Sequence, residues 1–285
     1  MGISLHTQGP PARKQRAASE RAFEVCGISH RGLIRVHNED FWFADERLGL
    51  VIVADGVGGQ ADGALASRAA VDCVANYLRR ATDAFFRAAS SVAISTAALA
   101  DGSVSKMQER VVARAIGLAN RRLVSVNAAA SDVKQRRGST IVGLWAPWGA
   151  DSLATIFHVG DSRIYLLRNG VLKPLTSDHS AYQQWSDSGK HGSPPPKSFI
   201  LQALGLSDVA PDITSVSTLP GDRFLICSDG LTNAIEDGEL QTALQDDASM
   251  SSACERLVSL ALARGGNDNL TTVLCKFSGD EVGTK

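Results

Sequence analysis

The stretch "VIVADGVGGQADG", Val51 to Gly63, decides how the rest of the chain is read. An aliphatic run stops at Asp55, and Gly56, Gly58 and Gly59 follow at once. A short apolar run bounded by turn residues reads as a buried strand. Asp-Gly after a strand can simply turn the chain. A glycine-rich loop can also cradle phosphate, and an Asp at a strand end can hold a metal. Taken alone, the stretch leaves these readings open.

Working outward, Phe41–Ala44 and Leu50–Ala54 form two strands joined by the turn "DERLG". Residues equidistant from an antiparallel turn face each other. Asp40 therefore meets Asp55 at the open end, with Glu39 beside them. Cross-strand neighbours lie about 5 Å apart. Three carboxylates that close repel one another unless a cation sits among them. The plain alternative is a set of surface acids at a solvated hairpin end.

A second hairpin repeats the pattern. "STIVGLWAP" and "SLATIFHVG" flank "WGAD", and the midpoint sets Thr140 opposite Asp161, beside Gly138 and Ser139. Asp229 ends the strand "DRFLICSD", and Asp268 in "GGNDNLTTV" precedes the last strand, "LTTVLCKF". Four apolar strands thus carry an Asp at one end. Hard oxygen ligands without His or Cys companions indicate Mg²⁺ or Mn²⁺ rather than zinc. Gly56 would let its carbonyl approach an ion without steric cost.

The remaining chain adds a strand at Phe23–Ile28 and amphipathic helices at Ala64–Leu78, Met107–Val126 and Ser251–Ala263. Ser162–Thr176 is a hairpin with Asn169-Gly170 at its tip. Ser177–Ser198 is polar, with little regular pattern, and Ile213–Leu219 is a strand. Hairpin-joined strands with helices in blocks indicate one α+β domain with antiparallel sheets.

Composition narrows the function classes. The 285 residues are 44% hydrophobic, enough for a sizeable core. Basic and acidic residues number 29 and 30, so no global charge favours nucleic acid or an anionic membrane. No apolar run is long enough to span a bilayer. The five cysteines show no C-x-x-C pair and read as free thiols in a reducing cytoplasm. Residues 1–21 are polar and slightly basic, the composition of a flexible arm.

Seven motifs occur in order: "RVHNED", "VADGVGG", "RGSTIVG", "HVGDSRIYLLRNG", "LTSDHS", "CSDGL" and "GGNDNLTTV". Together they resemble the bacterial branch of the type 2C, metal-dependent serine/threonine protein phosphatases. Any one motif is weak, and the ordered set is specific. The resemblance implies a β-sandwich of two antiparallel sheets flanked by helix pairs. It divides the chain into an arm at 1–21, a catalytic domain at 22–278 and a tail at 279–285. It further implies two Mn²⁺ or Mg²⁺ ions and a weak third. Asp55 would bridge the two, with the Gly56 carbonyl on one and Asp229 and Asp268 on the other. Glu39 and Asp40 would bind ions or their waters, and Asp161 with Asp229 would hold the third. Arg35 would grip the substrate phosphate, and Asn269 would orient the Asp268 region.

The implied activity is hydrolysis of phosphoserine and phosphothreonine on proteins by water activated at the ions. The implied setting is a cytoplasmic monomer reversing a Ser/Thr kinase, with phosphoproteins as partners and neither nucleic acid nor membrane. The alternative on the same fold is a pseudophosphatase that binds phosphoproteins. Such a protein would tolerate loss of Asp55, Asp229 or Asp268, and all three are present. Three departures stand out. Val57 replaces a histidine of many eukaryotic relatives, Asn233 replaces a third-ion carboxylate of some, and the flap between Asp178 and Gly205 is short.

Other chemistries fit less well. Cys73 and Arg79 have the spacing of a cysteine-phosphatase loop, but the residues between them lack glycine and read as helix. "DGVGG" lacks the lysine of a P-loop. His158, Trp145, Trp148, Trp185 and Cys227 read as packing, and His179 reads as an anchor of the flap.

Overall fold

Strand β3 (Leu50–Ala54) is fully buried along its length. That explains a continuous apolar run where a half-solvated strand would alternate. Leu50, Ile52 and Ala54 join one cluster, and Val51 and Val53 join another. The computed structural model describes residues 23–58, 62–89, 103–129, 137–147, 153–206, 208–245 and 249–277. Trp148, the arm at 1–21 and the tail at 279–285 lie outside these residues.

One sheet contains β3 with β2 (Phe41–Asp45), β6 (Ile141–Trp145), β7 (Leu153–Val159) and β10 (Asp212–Ser217), in the order β10-β7-β6-β3-β2. The other runs β1-β12-β11-β8-β9. Its strands are β1 (Phe23–His30), β8 (Arg163–Arg168), β9 (Val171–Pro174), β11 (Arg223–Cys227) and β12 (Leu270–Phe277). The pairings in both sheets are antiparallel. A short pair, β4 (Gly56–Val57) with β5 (Gly138–Ser139), closes one end.

The sheets meet face to face. Val51, Val142 and Ile156 pack against Ile164, Phe224, Ile226 and Phe277. Phe224 and Phe277 meet edge to face at 5.7 Å. Each such buried side chain contributes roughly 1.5–3 kcal/mol. Helices α1 (Asp62–Ala89) and α2 (Ser103–Ala128) cover the outer face of the β3 sheet through Ala70, Val74, Val112 and Ile116. Helices α4 (Asp237–Gln245) and α5 (Met250–Ala263) cover the other through Leu240, Leu257 and Val258. The α-β-β-α sandwich implied by the resemblance is the observed fold.

Local differences have physical reasons. Helix α1 runs past Leu78 to Ala89, because apolar spacing marks only the packed face and not the extent of a helix. The polar flap contains the helix α3 (Ala181–Asp187), capped by Ser180, whose hydroxyl accepts from the Gln183 N–H at 3.1 Å. The β2–β3 register, continued one step, sets Asp40 opposite Asp55 as expected. The β6–β7 register does not set Thr140 opposite Asp161. It pairs Ile141 with Val159, so its next step faces Thr140 with Gly160, one residue from the expected match. A turn centred one half-step earlier produces this shift.

Candidate metal centre

The strand ends near β3 converge through backbone clamps. The Asp55 N–H donates to the Thr140 hydroxyl at 2.9 Å, and the Asp55 carbonyl accepts from the Thr140 N–H at 2.8 Å. The Gly56 N–H donates to the Glu39 carbonyl at 3.1 Å. A Cβ on Gly56 would collide with the Gly63 carbonyl and stand 2.8 Å from the Glu39 carbonyl oxygen. Glycine here is therefore required by close chain approach between the β2–β3 hairpin and the start of α1. That requirement was not read from the sequence.

Asp40 is buried, and its Oδ2 accepts from the Ser228 and Thr271 hydroxyls, each at 2.7 Å. Its Oδ1 is buried with no donor among the described residues. Burial pushes its pKa up to about 7 against the pull of those two hydroxyls, and Asp229 and Asp268 add to the rise. Asp161 is 4% exposed and pushed up to about 8 by burial, with Asp229 the next cause. Burial also raises Asp55 well above the carboxylate range, followed by Asp40, Asp229, Asp161 and Asp268. Asp229 rises through burial and then Asp268. Asp40, Asp55, Asp161 and Asp229 thus resist ionising together.

Asp268 is held from two sides. Its Oδ2 accepts from Arg35 Nη2 at 2.9 Å and its Oδ1 from the Asn269 N–H at 2.8 Å. The Arg35 side chain is 52% exposed, so its guanidinium also faces solvent. Asn269 staples the loop that carries Arg35. Its Oδ1 accepts from the Glu39 N–H, and its Nδ2 donates to the Arg31 and His37 carbonyls, all at 2.9 Å. The structure therefore brings Arg35, Glu39, Asp40, Asp55, Gly56, Asp161, Asp229, Asp268 and Asn269 to one end of the sandwich.

These residues fit divalent cations on three counts. Asp40, Asp161 and Asp229 each leave a buried carboxylate oxygen without a donor among the described residues. Among the described residues, the one ion pair made by Asp40, Asp55, Asp161, Asp229 or Asp268 is that of Asp268 with Arg35. The donor set is all oxygen, the preference of Mg²⁺ and of Mn²⁺.

Several contributors were not singled out from the sequence. Thr140, Ser228 and Thr271 are small hydroxyl residues adjoining strand ends, the type that bonds neighbouring polar groups. Asn233 acts as a donor, its Nδ2 reaching Asp229 Oδ2 at 3.0 Å. Rejected candidates stay rejected. Cys73 and Arg79 lie within α1, so no loop wraps an anion there. Burial pushes the Cys227 thiol up to about 12. Trp145 is in the core beside the helices.

The family model described as "Protein phosphatase 2C" matches residues 29–275. The chain is 34% identical over 259 residues to "Serine/threonine protein phosphatase PstP" of Mycobacterium tuberculosis, covering 86% of this chain. It spans 43% of that relative's length. It is 32% identical over 253 residues to "Serine/threonine phosphatase stp" of Listeria monocytogenes, covering 86% of this chain and 92% of the relative. Among solved structures, the catalytic domain of PstP in complex with two manganese ions matches with a TM-score of 0.71 and 29% identity. That match covers 90% of this chain and 99% of the other. Because the family match spans both sheets and every carboxylate of the cluster, the chain belongs to the protein phosphatase 2C family.

Proposed function

We propose that the chain hydrolyses phosphoserine and phosphothreonine in proteins with the help of Mn²⁺ or Mg²⁺. The observation that carries this reading is the buried, mutually repelling carboxylate set with oxygens left unbonded. Asp55, the Gly56 carbonyl, Asp229 and Asp268 would hold two ions. Glu39 and Asp40 would hold ions or waters, and Asp161 with Asp229 a weaker third. Bound there, such ions supply Lewis acidity, lowering the pKa of water and offsetting charge on a phosphoryl group.

The chain's own groups do the rest. Arg35 binds phosphoryl oxygens, for which its planar fork is suited, and remains anchored near the site through Asp268. Ser228 and Thr271 fix Asp40 in one orientation, and Asn269 fixes the Arg35 loop. Val57 is exposed beside Gly56 and offers no proton to a leaving group.

The wider reading includes a Ser/Thr kinase whose products are removed, a monomeric chain and a cytoplasmic setting. The described cysteines are free thiols, which supports a reducing compartment. No helix among the described residues is long and apolar enough to cross a membrane. The test is turnover of p-nitrophenyl phosphate and a phosphothreonine peptide after exhaustive chelation, then with Mn²⁺ restored. Activity only in the restored sample is expected. Full activity in the chelated sample overturns the reading.

A further inference from the structure

A second cluster of metal-ligand residue types lies apart from the carboxylates. His158 on β7, Asp212 on β10 and His179 before α3 bring ligand atoms within 4.8 Å of one another. His158 and Asp212 are cross-strand partners, and a cleft of about 700 Å³ opens on them between the Pro174–Ser177 and Pro211–Thr214 segments. The hydrogen bonds nevertheless favour another role. His179 Nδ1 accepts from the Gly160 N–H at 3.2 Å, which leaves the ring proton on Nε2, 3.0 Å from Asp212 Oδ2. An ion on Nε2 would move that proton to Nδ1, against the Gly160 N–H.

What His179 grips is Gly160. Besides the ring contact, the His179 N–H donates to the Gly160 carbonyl at 2.7 Å. Both polar groups of Gly160 are therefore held by one residue. Gly160 has φ +111°, and a Cβ there would stand 2.6 Å from Thr140 Cγ2. Thr140 is the residue that clamps Asp55, and Asp161 follows Gly160 directly. On its other side, the His179 carbonyl accepts from the Leu201 N–H at 2.7 Å, which ties the same residue to the flap. The buried His158 ring backs the imidazole, its centroid 4.5 Å away.

We propose that the His179–Asp212 pair is a positioning clamp: it fixes Gly160, and through it Asp161, and joins the base of the flap to the metal centre. The proposal rests on the reading that Asp161 takes part in ion binding. His179 touches neither substrate nor ion in this scheme.

The test compares His179→Ala, His179→Asn, Asp212→Ala and Asp161→Asn in the full chain. Two quantities are read: amide hydrogen exchange at Gly160, and the Mn²⁺ concentration giving half-maximal turnover of a phosphothreonine peptide. His179→Ala should speed exchange at Gly160 and raise the Mn²⁺ requirement by about 10- to 100-fold, the cost of losing a group that orients a ligand. His179→Asn places Oδ1 where Nδ1 was and should restore both quantities to within about threefold. Asp212→Ala should give a smaller shift in the same direction, and it serves if His179→Ala does not fold. A lowered melting temperature with an unmoved Mn²⁺ requirement in His179→Ala overturns the clamp, as does a His179→Asn chain that behaves like the alanine variant. Zn²⁺ bound tightly by the wild-type chain and lost in Asp212→Ala also overturns it, in favour of an ion site. Asp161→Asn separates the two layers. If it shifts the Mn²⁺ requirement while His179→Ala does not, the clamp alone fails. If neither shifts it, the role of Asp161 fails and the clamp falls with it.

Discussion

The two ends of one strand pair, β8 with β11, meet the problem of buried charge in opposite ways. Continuing the register past β8 and β11 at one end sets Arg168 opposite Asp222. There Arg168 Nε and Nη2 reach the two Asp222 oxygens at 2.7 and 2.6 Å, although Asp222 is only 2% exposed. Continuing the same register at the other end sets Asp161 opposite Asp229. There the facing groups are like charges, and each keeps a buried oxygen without a donor among the described residues. One end is an electrostatically complete ion pair, and the other is complete only when cations are supplied. The difference distinguishes charge that holds the fold from charge assembled for chemistry.

The sharpest way to break this contrast is to remove a carboxylate from the open end. Asp55→Ala should lower turnover on phosphothreonine peptides by about 10³-fold or more, since it removes charge that organises the reaction centre. Circular dichroism and melting should remain native. Retained turnover would place the chemistry elsewhere. At the closed end, Arg168→Ala should do the reverse, leaving activity per folded molecule intact while lowering stability. Stranding buried Asp222 should cost about 3 kcal/mol, read as a melting temperature lower by about 6–12 °C. An unchanged melting temperature would remove the distinction.

The open end also carries a pH signature in chelated protein. Asp40 and Asp161 hold protons up to about pH 7 and 8 in the folded chain. Unfolded carboxyls release theirs near pH 4. Between these limits the folded state binds more protons, so stability falls as pH rises. The chelated chain should melt at a higher temperature at pH 5 than at pH 8. Saturating Mn²⁺ should flatten that slope, and an equal slope with and without metal would contradict the assignment. The smallest effect belongs to the cation that borders the open end. Arg35→Ala should raise KM for small phosphoesters about tenfold with kcat little changed, because the guanidinium holds ground-state phosphate as well as the transition state. An unchanged kcat/KM would remove Arg35 from the site.

Local geometry made part of this site legible in the sequence. Counting outward from the "DERLG" turn sets Asp40 against Asp55, and the β2–β3 register agrees. The same counting misplaced Asp161 by one residue, because the register of a hairpin depends on where its turn is centred. The facing of Asp161 with Asp229 was not derivable by counting at all, since β8 and β11 are joined by no hairpin. The hydroxyls on Asp40 come from Ser228 and Thr271, 188 and 231 positions away. Only the ordered motifs hinted that such distant segments meet. The apolar spacing ended the first helix at Leu78, whereas α1 continues to Ala89.

The central claim is that the open end is a divalent-cation centre built on Asp55, Gly56, Asp229 and Asp268. Anomalous diffraction at the manganese edge, from crystals of the full chain soaked in Mn²⁺, tests it most directly. Two strong peaks are predicted beside the Asp55 carboxylate, one shared with the Gly56 carbonyl and the other with Asp229 and Asp268. Saturating Mn²⁺ that leaves this end without peaks, with ions bound elsewhere, would contradict the claim.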